Sequence, residues 1–167
     1  MNDALNKQIF EKLAYMLSEN DLLFGSAESC SGGLFADSLT DIAGSSVFFD
    51  SGIVCYSNEA KKRFLGVTQE ALVEFGAVSS QVAEQMALGV IKRCGVDVSV
   101  SLTGIAGPTG GSKQKPVGLV YIGIAYRNIC RSVRFVFRGT RREIKVQAVN
   151  NAALLVVETL EKLNKTS

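Results

Sequence analysis

The sequence predicts an α/β protein, a three-layer α/β/α sandwich on a mixed sheet. Segments with apolar residues at helical spacing alternate along the chain with short strand-like apolar runs. Two strand candidates near the end are joined by a short link, so one pair runs antiparallel. Residues 117–126, VGLVYIGIAY, are nearly all apolar, as in a central strand covered on both faces.

The elements follow in order. Leu5, Ile9, Leu13 and Met16/Leu17 recur at helical spacing and predict a helix over 3–19. Leu22 to Ala27 predicts a buried strand, which runs through Glu28-Ser29-Cys30-Ser31-Gly32-Gly33 into a helix from Leu34 to Thr40. Residues 52–57 predict a second strand. Asn58 is expected to cap a short helix with Lys61 in its first turn, and Thr68 and Ser79 or Ser80 are further caps. The helix after Ser80 puts Val82, Met86 and Val90 on one face and stops at Gly95. From Val96 to Leu102 apolar and polar residues alternate strictly, which predicts a strand with two different faces. It empties into a glycine-rich loop, Thr103 to Gly118. After the central strand, a link at 127–130 leads to a strand over 131–138, and Thr140 caps a closing helix over 141–163. No repeat, linker or low-complexity stretch interrupts the chain, so residues 1–167 read as one domain.

Composition narrows the function. The chain has 167 residues, 47% hydrophobic and 20% charged, an ordinary globular balance. A net charge of +2 is too mild for a nucleic-acid partner. The basic cluster from Arg138 to Lys145 sits at a helix start, where a small anion explains it as well. The N-terminus carries acidic residues and no cleavage site, and no apolar run approaches the ~18 residues of a membrane span. A cytoplasmic protein without a membrane partner is expected. Cysteines 30, 55, 94 and 130 form no CxxC pair and read as reduced thiols. There is no histidine. That excludes Ser-His-Asp and Cys-His machinery and any histidine-ligated metal. Any hydrolytic base must be Lys, Glu, Asp or Tyr, and neither metal nor cofactor is expected.

Three constellations carry chemistry. In the first, Ser29 sits at a strand-to-helix turn; Gly32 and Gly33 permit positive φ and close ligand approach. Ser31 adds a second hydroxyl, and the following helix N-terminus offers amides to an oxyanion or phosphate. Cys30 is a rival nucleophile without a histidine to pair with. In the second, Tyr56-Ser57-Asn58-Glu59-Ala60-Lys61, a lysine at the positive end of a helix is pushed toward the neutral form that a base requires. In the third, Thr103 to Ser112, Thr103, Gly104, Gly107, Gly110 and Gly111 follow a strand's carboxyl end, where α/β sheets bind ligands. No GK[ST] closes that loop, so it is not a Walker A motif.

The stretches ESCSGG, DIAGSS, GIVCYSNEAKKRFLGV, GAVS and TGIAGPTGGSKQKPVG, in this order, resemble the C-terminal domain of the competence/damage-inducible protein CinA. The resemblance runs from about residue 5 to residue 160, and is to the stand-alone form. It implies hydrolysis of the carboxamide of nicotinamide mononucleotide to nicotinate mononucleotide and ammonia. It implies Ser29 as nucleophile, Lys61 as base and Tyr56 as helper, a three-layer α/β/α fold and a homo-oligomer. It also draws Ser46, Asn58 and Arg141 into substrate binding. The chain departs from the family pattern at Ser31, where threonine is usual, at Ser51 and Lys145, where arginine is usual, and at Thr140, where an acid is usual. The alternative is a non-catalytic relative that holds a pyridine nucleotide as a sensor or partner subunit.

Overall fold

A computed structural model describes residues 4–164. Helix α1 (Lys7–Glu19) starts at Asn6, whose side chain accepts the N–H of Ile9. That cap sets its start later than the apolar spacing suggests; residue 3 lies outside the described residues. Strand β1 (Phe24–Glu28) is buried throughout and reaches one residue beyond Ala27. Helix α2 (Leu34–Thr40) matches its predicted span. A 3-10 turn, Ser45–Val47, leads to β2 (Phe49–Val54). This strand starts before Gly52 because pairing, not apolar density, sets its start. Phe49 stands beside Phe24 in the ladder, and their rings lie 6.4 Å apart.

Helix α3 (Asn58–Leu65) is capped by Ser57, which accepts the N–H of Ala60, so Asn58 is its first residue rather than its cap. Thr68 caps α4 (Gln69–Glu74), and Ser79 caps α5 (Ser80–Cys94), which ends at Gly95 as predicted. Strands β3 (Val98–Gly104), β4 (Leu119–Tyr126) and β5 (Ile129–Val136) follow. The β4–β5 link narrows to Arg127 and Asn128, with Arg127 at φ 51°. Helix α6 (Arg141–Asn164) opens on a reciprocal box: Glu143 N–H donates to the Thr140 hydroxyl, and Thr140 N–H to the Glu143 carboxylate.

The strand order is β2-β1-β3-β4-β5. β1 runs parallel to β2 and β3, while β3–β4 and β4–β5 are antiparallel. There are thus two antiparallel pairs where the sequence pointed to one. The glycine-rich loop holds no crossover helix, so the chain returns alongside the strand it left. Helices α1, α2 and α6 cover one face through Phe10, Leu13, Phe35 and Val149, packed on Phe24, Val100 and Ile122. The other face packs Leu65, Leu72, Val82, Met86 and Val90 of α3, α4 and α5. This is the expected mixed sheet between two helical layers, with β4 buried on both faces.

The alternating strand β3 has no wet face. Its valines and Leu102 meet the α6 layer, while Ser99 and Ser101 donate to the carbonyls of Ala87 and Ala83 in α5 at 2.7 and 2.6 Å. Thr103 donates to Ala77 at 2.7 Å. Gly123, opposite Ser101, leaves room for this approach: a Cβ there would stand 2.4 Å from the Ala83 carbonyl oxygen. The small polar residues mark a close helix–sheet contact, and Thr103 fixes the Ala77 segment at the sheet's carboxyl end.

Candidate functional site

The site lies where β1, β2 and β3 end, on the side that open α/β sheets use for ligands. β1 delivers Ser29. The chain leaving β2 passes through Cys55 and Tyr56 into α3, which delivers Lys61. Cys55 N–H donates to Glu28 carbonyl at 2.9 Å, locking the two exits together.

Lys61 is 2% exposed. Its Nζ lies 3.0 Å from Ser29 Oγ, 3.1 Å from the Cys55 carbonyl and 3.4 Å from the Tyr56 carbonyl. No carboxylate pairs with it among the described residues. Burial therefore pushes the amine below the ordinary lysine range, toward the neutral form. A neutral amine at 3.0 Å can take the proton of a serine hydroxyl. The neighbouring Cys30 is a protonated thiol, pushed up to about 12 chiefly by burial, with the Glu28 carboxylate adding to the rise.

A cavity of about 270 Å³ opens beside this pair. It gathers Ser29, Tyr56, Asn58, Lys61, Thr103, Gly104, Gly107, Gly110 and Arg141 from the predicted set. Ser31, Gly32, Gly33, Ser46 and Gly111 do not line it. Ser31 is fully buried and its hydroxyl has no partner, so it does not stand beside Ser29 as a second nucleophile in the cavity. Gly32 and Gly33, at φ 65° and 95°, shape the turn. Ser46 is exposed in the 3-10 turn. Gly111 packs against Val117, whose nitrogen would lie 2.8 Å from an added Cβ.

Tyr56 takes a different place from that of a lysine-orienting hydroxyl. Only its carbonyl reaches Lys61; its phenol accepts from Arg141 at 2.8 Å. Arg141 also donates to the Gly107 carbonyl at 2.7 Å, so one guanidinium ties the start of α6 to the glycine loop and to the β2–α3 segment. The lining carries two basic side chains, Lys61 and Arg141, and no acid.

Sequence reasoning missed Glu28. Its carboxylate is completely buried and accepts the N–H groups of Gly33, Phe35 and Ala36 at 3.0, 3.0 and 2.9 Å. It fills the α2 N-terminus that the sequence offered to an oxyanion or phosphate. An acid just ahead of a glycine turn and helix start was the available signal. Ala77, Val78, Ile105, Ala106 and Thr109 also line the cavity. Among the described residues no three His, Cys, Asp or Glu side chains gather to hold a metal, and no helix is long and apolar enough to cross a membrane.

Fold and site together define a three-layer α/β/α domain whose cavity holds a buried serine–lysine pair. The chain belongs to the CinA C-terminal domain family, whose profile matches residues 6–160. A CinA-like protein of Chlorobium limicola is 52% identical over 149 residues, covering 86% of this chain and 34% of its own length. The chain spans about a third of the length of the curated relatives it matches. Among solved structures, the competence/damage inducible protein CihA of Agrobacterium tumefaciens aligns with a TM-score of 0.87 at 40% identity, covering 93% of this chain and 94% of that one. A CinA superfamily protein of Klebsiella pneumoniae aligns at 0.91 with 31% identity, covering 97% and 99%.

Proposed function

We propose that this domain is an amidohydrolase that converts the carboxamide of nicotinamide mononucleotide to the carboxylate, releasing ammonia, with Ser29 as nucleophile and Lys61 as base. The observation that carries the reading is the 3.0 Å contact between Ser29 Oγ and a buried lysine amine that no carboxylate among the described residues neutralises. The acid-free lining with the Arg141 guanidinium in it supports an anionic substrate: a phosphate offsets that charge, and a bare cationic pyridinium nucleoside would not.

In this mechanism neutral Lys61 takes the Ser29 proton, and the alkoxide attacks the amide carbon, which the pyridinium ring makes electron-poor. Of the turn's amides, Ser29 N–H is spent on Leu102, Gly32 N–H on Ser29 and Gly33 N–H on Glu28. Of the two amides left, Cys30 lines the cavity and Ser31 does not, so the oxyanion is assigned to the Cys30 N–H, a good donor contributing roughly 3–4 kcal/mol. Lys61 ammonium gives its proton to the leaving nitrogen as the C–N bond breaks and the Ser29 ester forms. Water, deprotonated by Lys61, then cleaves the ester and restores Ser29.

The test is ammonia release from the purified protein with nicotinamide mononucleotide, in EDTA, beside Ser29→Ala and Cys30→Ala. Release by wild type and Cys30→Ala, but not by Ser29→Ala, is the expected result. Release that survives in Ser29→Ala, or is lost in Cys30→Ala while that protein stays folded, rejects Ser29 as nucleophile. No release by wild type, with tight nucleotide binding, makes the domain a non-catalytic binder.

A further inference from the structure

The stretches GAVS, residues 76–79, and KPVG, residues 115–118, hold no reacting group, yet they meet beside the cavity. Three successive carbonyls on one segment are each taken by a different side chain. Lys115 Nζ donates to the Phe75 carbonyl at 2.5 Å, Ser79 Oγ to that of Gly76 at 2.8 Å, and Thr103 Oγ1 to that of Ala77 at 2.7 Å. Gly76, at φ 74°, admits the lysine: a Cβ there would stand 3.0 Å from the ammonium. The donors come from the glycine-rich loop, from the cap of α5 and from the end of β3, so the segment is held from three sides.

A trans peptide points its N–H away from its C=O. With the Gly76 and Ala77 carbonyls held, the N–H groups of Ala77 and Val78 are turned away from those partners, and neither has an acceptor among the described residues. Both residues are half-buried and line the cavity, where an acceptor atom of a ligand would satisfy them. The Ala77–Val78 peptide is also the one nearest the nucleophile. Glu28 pairs with Leu102 in the parallel β1–β3 ladder, and Ser29 N–H donates to the Leu102 carbonyl at 2.9 Å. Ser29 and Thr103 therefore come next in register on neighbouring strands, about 4.8 Å apart. Ser29 Oγ meets Lys61 and Thr103 Oγ1 meets Ala77 on the same side of the sheet, the side of α3 and α5.

We propose that the Val78 N–H holds the carboxamide oxygen and acts with the Cys30 N–H as the second donor to the oxyanion, and that Thr103 is the residue that positions it. The proposal rests on the amidohydrolase reading. As Ser29 adds to the amide carbon, the carbonyl π pair moves onto oxygen, which accepts from both amides. The pair returns as the C–N bond breaks and Lys61 gives its proton to the leaving nitrogen. Thr103 and Lys115 act through the peptides they grip and leave the reacting atoms to others. A hydrogen bond to an oxyanion is stronger than one to a neutral carbonyl, so its loss falls mainly on kcat.

The experiment compares Thr103→Val, Thr103→Ser and Val78→Pro with wild type on nicotinamide mononucleotide. Val78→Pro removes the N–H itself and should lose roughly 10²–10³ in kcat. Thr103→Val should lose roughly tenfold or more in kcat with KM within about twofold, and Thr103→Ser should restore most of that. The Thr103 pair decides the matter if the proline variant does not fold. In parallel, the ¹⁵N-labelled Ser29→Ala protein is titrated with the mononucleotide, where no turnover is needed. The Val78 amide proton should move downfield and exchange more slowly with solvent, and Thr103→Val in that background should abolish the response. An unchanged kcat in Thr103→Val, a loss carried by KM alone, no recovery in Thr103→Ser, or a Val78 amide that does not respond at saturating nucleotide overturns the proposal. If wild type releases no ammonia, the amidohydrolase reading fails alone, and the Val78 amide still decides whether this segment holds the ligand.

Discussion

A lysine taken out of water keeps its proton only if oxygens replace its hydration, and around Lys61 they are one serine hydroxyl and two carbonyls. With the pKa lowered by burial, the base form grows as pH rises through that depressed value. kcat/KM should therefore climb from neutral to alkaline pH along a limb centred below 10.5, the ordinary lysine value. Stability follows the same sign. Between the folded and unfolded pKa values the unfolded chain binds more protons, so stability also rises with pH across that window. Lys61→Met, similar in length and uncharged, should lose roughly 10²–10⁴ in kcat, the usual range for a positioned base. It should unfold at a higher denaturant concentration than wild type at neutral pH and show less pH dependence there. Wild-type activity that falls from neutral to alkaline pH, or a Lys61→Met protein of full activity, rules out Lys61 as the base.

At the scale of elements, helix α2 begins on a turn with two positive-φ glycines and no side-chain cap from its N-cap residue, Gly33. Glu28 compensates from the end of β1 with three N–H bonds. Glu28→Gln keeps the shape, removes the charge, and turns an NH₂ toward amides that also donate. It should cost about 1.5–3 kcal/mol in urea unfolding, because charge-assisted bonds in a dry site are lost. The turn amides should also lose registry with the oxyanion, so kcat should fall with little change in KM. Unchanged stability would mean that the carboxylate is not what holds the turn. This residue also shows what the sequence could and could not tell. Caps obeying local rules, at Thr68, Ser79, Gly95 and Thr140, were legible because their partners lie within a few residues. Ser29, Lys61 and the glycine loop were legible as motifs. Glu28 was visible as an acid ahead of the turn, but its role was not, because a carboxylate serving amides five to eight residues later follows none of the usual cap spacings. Alternation gave β3 two different faces but did not tell whether water or a helix carbonyl would meet its serines. The Tyr56 hydroxyl went to Arg141, 85 positions away, which no local pattern encodes.

Across the whole molecule, the cavity is assembled from segments far apart in the chain: the Ser29 turn, the Tyr56–Lys61 segment, Ala77 and Val78, the glycine loop, and the start of α6. These are bridged by single contacts, namely Cys55 to Glu28, Thr103 to Ala77, and Arg141 to both Gly107 and Tyr56. Unfolding the sheet disperses every one of these walls, so the unfolded chain retains no binding site. A ligand of the cavity must then stabilise the fold by mass action, about 2.7 kcal/mol at a hundredfold excess over Kd. For a chain of this size each kcal/mol raises Tm by roughly 2–4 °C, so the mononucleotide should raise Tm of the Ser29→Ala protein by roughly 5–11 °C. Arg141→Ala, which opens the bridge between α6, the loop and Tyr56, should lose most of that rise at the same nucleotide concentration. Differential scanning calorimetry with and without the mononucleotide checks both. A Tm that does not move would mean that the folded domain does not bind the nucleotide, and a rise that Arg141→Ala shares in full would place the ligand outside this cavity.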